Sequence, residues 1–289
     1  MAIIDIRTAP IQIREFIEAA ATKVNVELDR RLQIPVKLAA DDPERRLREA
    51  MRYAVLGGGK RLRPALVLAA ARAIDCNADA LAPAAAVEIL HAYTLVHDDL
   101  PAMDDDDVRR GRPTVHIAFD QATAVLAGDS LLTVALGCLA DLGPRCAAAL
   151  RALVRAAGPG ELLGGQMRDL ALELRASAVS AAPTSALTIE DAERVHRGKT
   201  GALFSVAAEL GGIAAAASAE MIGQLRTYGM AVGVAFQHAD DLDDGEFASL
   251  RDQAASRRKA LAAEAICAMK PMGESGQLLC DLASWIGGI

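Results

Sequence analysis

The sequence predicts an all-α protein built as one large helical bundle. Alanine and leucine, both strong helix formers, dominate its 289 residues. Alternating runs of Val, Ile, Tyr and Phe, which would mark strands, are scarce. No linker, repeat or shift of composition divides the chain, so residues 1–289 read as a single domain, and 52% hydrophobic residues over this length give ample core.

The helices follow in order. Residues 11–33 form an amphipathic helix with Ile13, Phe16, Ile17, Ala20 and Val24 on one side. Asp42-Pro43-Glu44 opens the next, because proline suits the first helical position after a cap. That helix runs to Leu56 and stops at Gly57-Gly58-Gly59. Lys60-Arg61-Leu62-Arg63-Pro64 starts another, whose residues 65–74 are nearly all apolar, as in a buried helix. A helix over 83–99 ends in His97-Asp98-Asp99. Pro101 cannot sit inside it without striking the carbonyl four residues back, so the backbone leaves helical form near Leu100. Helices over 121–142 and 145–157 come next. Gly158-Pro159-Gly160 breaks the pattern, and Glu161 to Leu174 resumes it. Residues 175–187 are weakly patterned and read as a mobile loop. Thr188-x-x-Asp191 is a capping box that starts a helix through Lys199-Thr200-Gly201. A helix over 220–241 delivers a second acidic cluster, and 247–289 reads as two short helices.

Charge and composition exclude several classes. The net charge is -7 and the pI about 5.3, with no basic stripe interleaved with aromatics, which argues against nucleic-acid binding. The acidity is local: six aspartates fall within 98–107 and four within 240–244. Five scattered cysteines without a Cys-x-x-Cys pair fit buried thiols in a reducing compartment. Asp5, Arg7, Arg14 and Glu15 interrupt the N-terminus, which therefore lacks a signal-peptide core. The longest apolar stretches contain Gly, Asp or Thr and fall short of a membrane span. A soluble, cytoplasmic protein with no stable membrane insertion is expected.

The chemistry lies in Asp98-Asp99-Leu-Pro-Ala-Met-Asp104 and Asp240-Asp241-Leu-Asp243-Asp244. Carboxylates this crowded repel one another and lose solvation if enclosed. Two such clusters facing each other across a cavity need cations between them, and hard divalent cations complete their shells with water and substrate phosphates. Asp240 and Asp244 share a helix face. Asp98 and Asp104 would not share one on an unbroken helix, but the break at Pro101 can return Asp104 towards Asp98. Lys60 and Arg63 follow three glycines at a helix start, where free amides favour an anion. Arg109-Arg110-Gly-Arg112 stands beside the first cluster, and arginine forks match phosphate oxygens. Lys199-Thr200 adds a cation and a hydroxyl. Taken singly, each of these has an ordinary counterpart: a solvated acidic helix end, a charge-balancing loop, a surface lysine. Together they read as a clamp for a magnesium-bound diphosphate.

Five segments then carry a resemblance: Gly-Gly-Gly-Lys-Arg-Leu-Arg-Pro (57–64), His-Asp-Asp-Leu-Pro-Ala-Met-Asp-Asp-Asp-Asp-Val-Arg-Arg-Gly-Arg-Pro-Thr (97–114), Gly-Gly-Gln-Met-x-Asp-Leu (164–170), Lys-Thr-Gly-Ala-Leu-Phe (199–204) and Phe-Gln-x-x-Asp-Asp-Leu-Asp-Asp (236–244). In order and spacing they resemble the trans-prenyl (polyprenyl) diphosphate synthases, most of all the bacterial farnesyl and geranylgeranyl type. The resemblance implies an isoprenoid-synthase bundle, usually a homodimer, around a deep apolar cavity. It implies three Mg2+ ions held by Asp98, Asp104 and Asp240, with Asp99, Asp241 and Asp244 in support. Arg109, Lys199 and Gln237 would hold the allylic diphosphate. Lys60, Arg63, His91 and Arg110 would hold isopentenyl diphosphate. Thr200 and Gln237 would turn oxygens towards a developing carbocation. The implied reaction is Mg-assisted ionisation of the allylic ester and head-to-tail attack by isopentenyl diphosphate, with no protein nucleophile.

Tyr93 lies five residues before Asp98, roughly 7.5 Å along the helix at 1.5 Å per residue. In the family this position and Thr94 often form the floor that stops elongation. An aromatic ring there resembles farnesyl (C15) producers, whereas smaller residues admit geranylgeranyl (C20). His97, His116, His196 and His238 read as ordinary packed histidines. The Gly-Lys-rich loop that many relatives carry after the second cluster is replaced by Asp-Gly-Glu-Phe-Ala-Ser-Leu-Arg-Asp-Gln-Ala (244–254), and Arg257, Arg258 and Lys259 do not take over its role. A terpene cyclase would replace the second cluster and have no need of Lys60, Arg63 and Arg110. A non-catalytic subunit would lose one cluster.

Overall fold

A computed structural model describes residues 4–178, 188–245 and 250–289. Among these the chain is helical apart from one two-residue hairpin. In order come α1 (Ile11–Arg31), α2 (Pro43–Leu56), α3 (Leu62–Ile74), α4 (Leu81–Asp98), the hairpin strands β1 (Val108–Arg109) and β2 (Arg112–Pro113), α5 (Val115–Ala118), α6 (Gln121–Cys138), α7 (Cys146–Ala157) and α8 (Leu162–Ala178). After the undescribed 179–187 come α9 (Ile189–His196), a π-helical turn (Arg197–Gly201), α10 (Ala202–Ala214), α11 (Ala219–Asp244), α12 (Arg251–Met269) and α13 (Gln277–Gly287).

The starts are where cap chemistry puts them. The Asp42 carboxylate accepts from the Glu44 N–H at 2.8 Å, Asp120 accepts from the Thr123 N–H at 2.7 Å, and Thr188 and Asp191 close a reciprocal capping box. Each satisfies amide groups that the first helical turn leaves unpaired. The helix α10 is apolar except for Ser205 and Glu209, and all thirteen of its residues are buried, so it runs through the core. Glycine lets its neighbours reach it: a Cβ on Gly211 would lie 2.3 Å from the Val67 carbonyl oxygen of α3, and one on Gly229 of α11 would lie 2.5 Å from that of Phe204. The stripe Ile13, Ile17, Ala20, Val24 and Leu28 buries α1 against this core.

Several expectations are corrected. The helix begun at Gln121 ends at Cys138, because Gly143 takes a left-handed φ of 55° between two short helical turns. Residues 175–178 belong to α8, so the expected loop is shorter, and 179–187 lie outside the described residues. The segment after 250 contains a 19-residue helix, α12, as well as α13. The cysteines are free, but just Cys138 is buried, while Cys76 and Cys267 are exposed. The stretch Gln121–Leu172 is apolar and long enough, by length and composition, to cross a membrane, contrary to expectation. It is divided among α6, α7 and α8, and part of it is buried in the bundle.

Candidate active site

The first acidic segment folds back at Pro101. The backbone N–H of Asp104 donates to the Asp98 carbonyl at 2.9 Å, and those of Met103 and Asp105 donate to Leu100 at 2.8 and 3.2 Å. Asp105 takes a φ of 54°, a left-handed conformation that aspartate tolerates. Asp98 and Asp104 therefore emerge from one turn, as the proline implied.

Asp98, at the end of α4, and Asp240, near the end of α11, line one cavity of about 800 Å3. Lys60, Arg63, His91, Thr94, Arg109, Arg110, Lys199, Thr200 and Gln237 line it too, and Leu95, Leu203 and Phe236 supply apolar wall. Asp99, Asp104, Asp241 and Tyr93 are not among the lining residues. Asp244 closes α11, and its side chain lies outside the described part of the structure.

The carboxylates are held in a state that suits cations. Burial, with Asp104 and Asp99 nearby, pushes Asp98 up to about 7 against the pull of Lys199 and Arg109. Burial also raises Asp104, and raises Asp99 even though Arg109 Nε donates to its Oδ1 at 2.5 Å. A divalent cation relieves both the desolvation and the repulsion. Hard oxygen donors in this density fit Mg2+.

Cationic groups line the same cavity. The Arg63 guanidinium stacks over Phe204 at 4.8 Å, and its Nη1 lies 3.3 Å from His91 Nε2. Burial pushes Arg63 down to about 10, and its buried Nε has no hydrogen-bond partner. Burial, then the neighbouring arginines, holds His91 well below its ordinary value, so it is neutral and can accept from Arg63. Lys60 sits 5.5 Å above the Phe236 ring. Arg110 Nη1 donates to the Gly58 carbonyl at 2.6 Å. Gly59 makes this approach possible: its φ is +128°, and a Cβ there would meet Arg110 Nη1 at 2.6 Å. An orphaned guanidinium N–H among partly desolvated cations is a place for an anion.

Three parts of the site were not legible as site residues. Lys199 Nζ donates to Asp169 Oδ2 at 2.5 Å. Burial works against this ammonium, but Asp169, Asp98 and Asp104 outweigh it and raise its pKa. Asp169 reaches it because Gly165 of α8 packs on the π turn, where a Cβ would be 2.3 Å from the Lys199 nitrogen. Arg61 pairs with Glu88 in the interior, donates to the Val55 carbonyl at 2.8 Å and to Asn25 Oδ1 at 3.0 Å, and so fastens the loop that carries Lys60 and Arg63. His196 Nε2 lies 3.0 Å from Asp241 Oδ2. Asp169 and Arg61 each lie in a segment that carried the resemblance, 164–170 and 57–64; Glu88 and His196 carried no signal.

Tyr93 is buried with its ring edge-on to His97 at 5.0 Å and is not among the cavity-lining residues, whereas Thr94 is. Arg257 is tied to Glu193 at 2.6 and 3.0 Å, and Arg258 to the Ile286 carbonyl at 2.6 Å.

Residues 44–249 match the family described as Polyprenyl synthetase. Farnesyl diphosphate synthase of Escherichia coli is 44% identical over 212 residues, covering 70% of this chain and 68% of that protein. Farnesyl diphosphate synthase of Geobacillus stearothermophilus is 36% identical over 248 residues, covering 82% and 77%. The crystal structure of an FPP/GFPP synthase from Zymomonas mobilis superposes with a TM-score of 0.83 at 37% identity, covering 96% of this chain and 99% of that one.

Proposed function

The chain belongs to the polyprenyl synthetase family, and on that premise we propose that it is a prenyltransferase joining isopentenyl diphosphate head-to-tail to dimethylallyl or geranyl diphosphate, with farnesyl diphosphate as the main product. The observation that carries this is that Asp98 and Asp240 line the same cavity as Lys60, Arg63 and Arg110, so groups for cations and for an anion share one space.

Asp98, Asp104 and Asp240 would hold Mg2+, three ions in all, with Asp99 and Asp244 in support, while both oxygens of Asp241 are engaged by Gln237 and His196. Bound there, the metal would draw charge onto the allylic diphosphate and ease loss of that group. Arg109 and Lys199 hold the same diphosphate, and Lys199 is kept charged for the purpose by Asp169. Lys60, Arg63 and Arg110 hold isopentenyl diphosphate, with neutral His91 bracing the Arg63 guanidinium. The allylic C–O bond breaks, the isopentenyl double bond attacks the cation, and a C–C bond forms. A proton then leaves for the departed diphosphate. Thr200 and Gln237 present oxygens to the cation. Leu95, Leu203 and Phe236 keep water from it.

The homodimer reading is supported by exposed apolar side chains on consecutive helices: Val125 and Leu126 of α6, Val154 of α7, Leu163 and Met167 of α8. Light scattering tests it. The cytoplasm is the proposed location. A second reading, a longer product such as geranylgeranyl diphosphate, is favoured by one observation: Thr94, not Tyr93, lines the cavity. Incubating the pure protein with isopentenyl diphosphate, each allylic primer and Mg2+, then sizing the products, separates the two. Absence of any elongated product contradicts both.

A further inference from the structure

Gln237 is an amide whose two ends have opposite polarity, and which end faces the cavity matters to a cation formed there. Its Nε2 donates to Asp241 Oδ1 at 3.0 Å, and its Oε1 accepts from Thr200 Oγ1 at 2.8 Å. Rotating the amide would set its oxygen against a carboxylate oxygen, two acceptors with no proton between them. Asp241 therefore fixes the amide, and it needs fixing in turn. It is 4% exposed, and its second oxygen, Oδ2, lies 3.0 Å from His196 Nε2, itself 4% exposed. The His196 ring is braced edge-on by His238 at 4.9 Å.

We propose that His196 is a positioning residue for prenyl transfer: it holds Asp241, which holds Gln237, so that oxygen lone pairs of Gln237 and Thr200 are presented to the cavity. The inference rests on the prenyltransferase reading above. The donors run His196 to Asp241, Gln237 to Asp241, and Thr200 to Gln237. The Thr200 hydroxyl proton is thus spent inside the protein. Both residues line the cavity, and both turn the negative end of a dipole to it, the polarity that stabilises developing positive charge at no cost of reorientation. Both Asp241 oxygens are engaged by protein donors, which assigns it to orientation rather than direct cation binding. The chain of contacts spans three elements: the end of α9, the face of α11, and the π turn that offsets Thr200 from regular helical register.

The test compares His196→Phe, which keeps a ring and removes the donor, with His196→Gln, whose amide N–H reaches to similar length. For His196→Phe a fall in kcat of about 10- to 100-fold is expected, the scale of a misplaced catalytic group. KM for both diphosphates and the half-saturating Mg2+ concentration should stay within about threefold, and His196→Gln should recover most of the loss. Should the Phe variant fail to melt cooperatively, Asp241→Asn carries the test, with the same fall in kcat and an unchanged Mg2+ requirement. Wild-type kcat in a folded His196→Phe overturns the inference alone, as does a loss that falls on the Mg2+ requirement. The ligand atoms of His196, His238 and Asp241 lie within 4.8 Å of one another. A stoichiometric transition metal that co-purifies with the wild type and is lost from His196→Phe would make His196 a ligand, and would likewise overturn it. An inactive wild-type chain would overturn the prenyltransferase reading itself.

Discussion

The amide of Asp104 is hydrogen-bonded to the carbonyl of Asp98 at 2.9 Å, so two carboxylates six positions apart leave a single turn. Their crowding makes the metal-free protein sensitive to pH. Asp98 is shifted upward, from 3.8 to about 7, so the folded chain holds this proton more tightly than the unfolded one. Its contribution favours folding below about pH 4 and is lost as pH rises through about 7. In chelator, Tm should fall over that interval, and Asp98→Asn should flatten the fall. At pH 8, Mg2+ should raise the wild-type Tm, since it binds the folded state alone. Thermal melts with and without chelator check both.

Gly59 is the position where backbone conformation decides a substrate contact. Its φ of +128° strains any other residue, and a Cβ would strike Arg110 Nη1. Gly59→Ala should raise KM for isopentenyl diphosphate about tenfold and leave KM for the allylic substrate nearly unchanged, because the guanidinium that moves serves one diphosphate. Steady-state kinetics with each substrate varied in turn would show it; an equal rise in both constants would mean general distortion.

Arg61 and Glu88 are 5% and 4% exposed. Removing one partner strands a buried charge, and Arg61→Met or Glu88→Leu should each cost about 3–5 kcal/mol in denaturant unfolding. The double variant should cost less than either single one, since no charge is then left alone. Additive losses would show that the pair is not coupled.

Tyr93→Ala should lengthen the product if the ring is the floor of the prenyl tunnel, and sizing the products checks this. The ring packs on His97 and is not among the residues lining the described cavity. An unchanged C15 product therefore removes Tyr93 as the stop and points to Thr94, where Thr94→Phe should shorten the product instead.

What could be read beforehand was local. Pro101 dictated a break, and the break brought Asp104 back to Asp98. Asp42 and the Thr188/Asp191 box dictated helix starts. The site's anionic and cationic residues were legible because each cluster is contiguous in sequence. Asp169 was not, since its meeting with Lys199 depends on Gly165 allowing two backbones to touch, a contact that leaves no periodic trace. The π turn at Arg197–Gly201 was invisible because Arg-Gly-Lys-Thr-Gly holds no apolar side chain to mark a shift of face. His196 looked like any buried histidine, and its partner Asp241 lies 45 residues further on.

The central claim is that Asp98 and Asp240 act together, through divalent cations, on one diphosphate. Calorimetric titration of an unreactive allylic thiolodiphosphate into the wild type, Asp98→Asn and Asp240→Asn, each with and without Mg2+, tests it directly. Binding that requires Mg2+ and weakens at least about tenfold in either variant is the expected result. Equally tight binding in chelator, or in both variants, would contradict it.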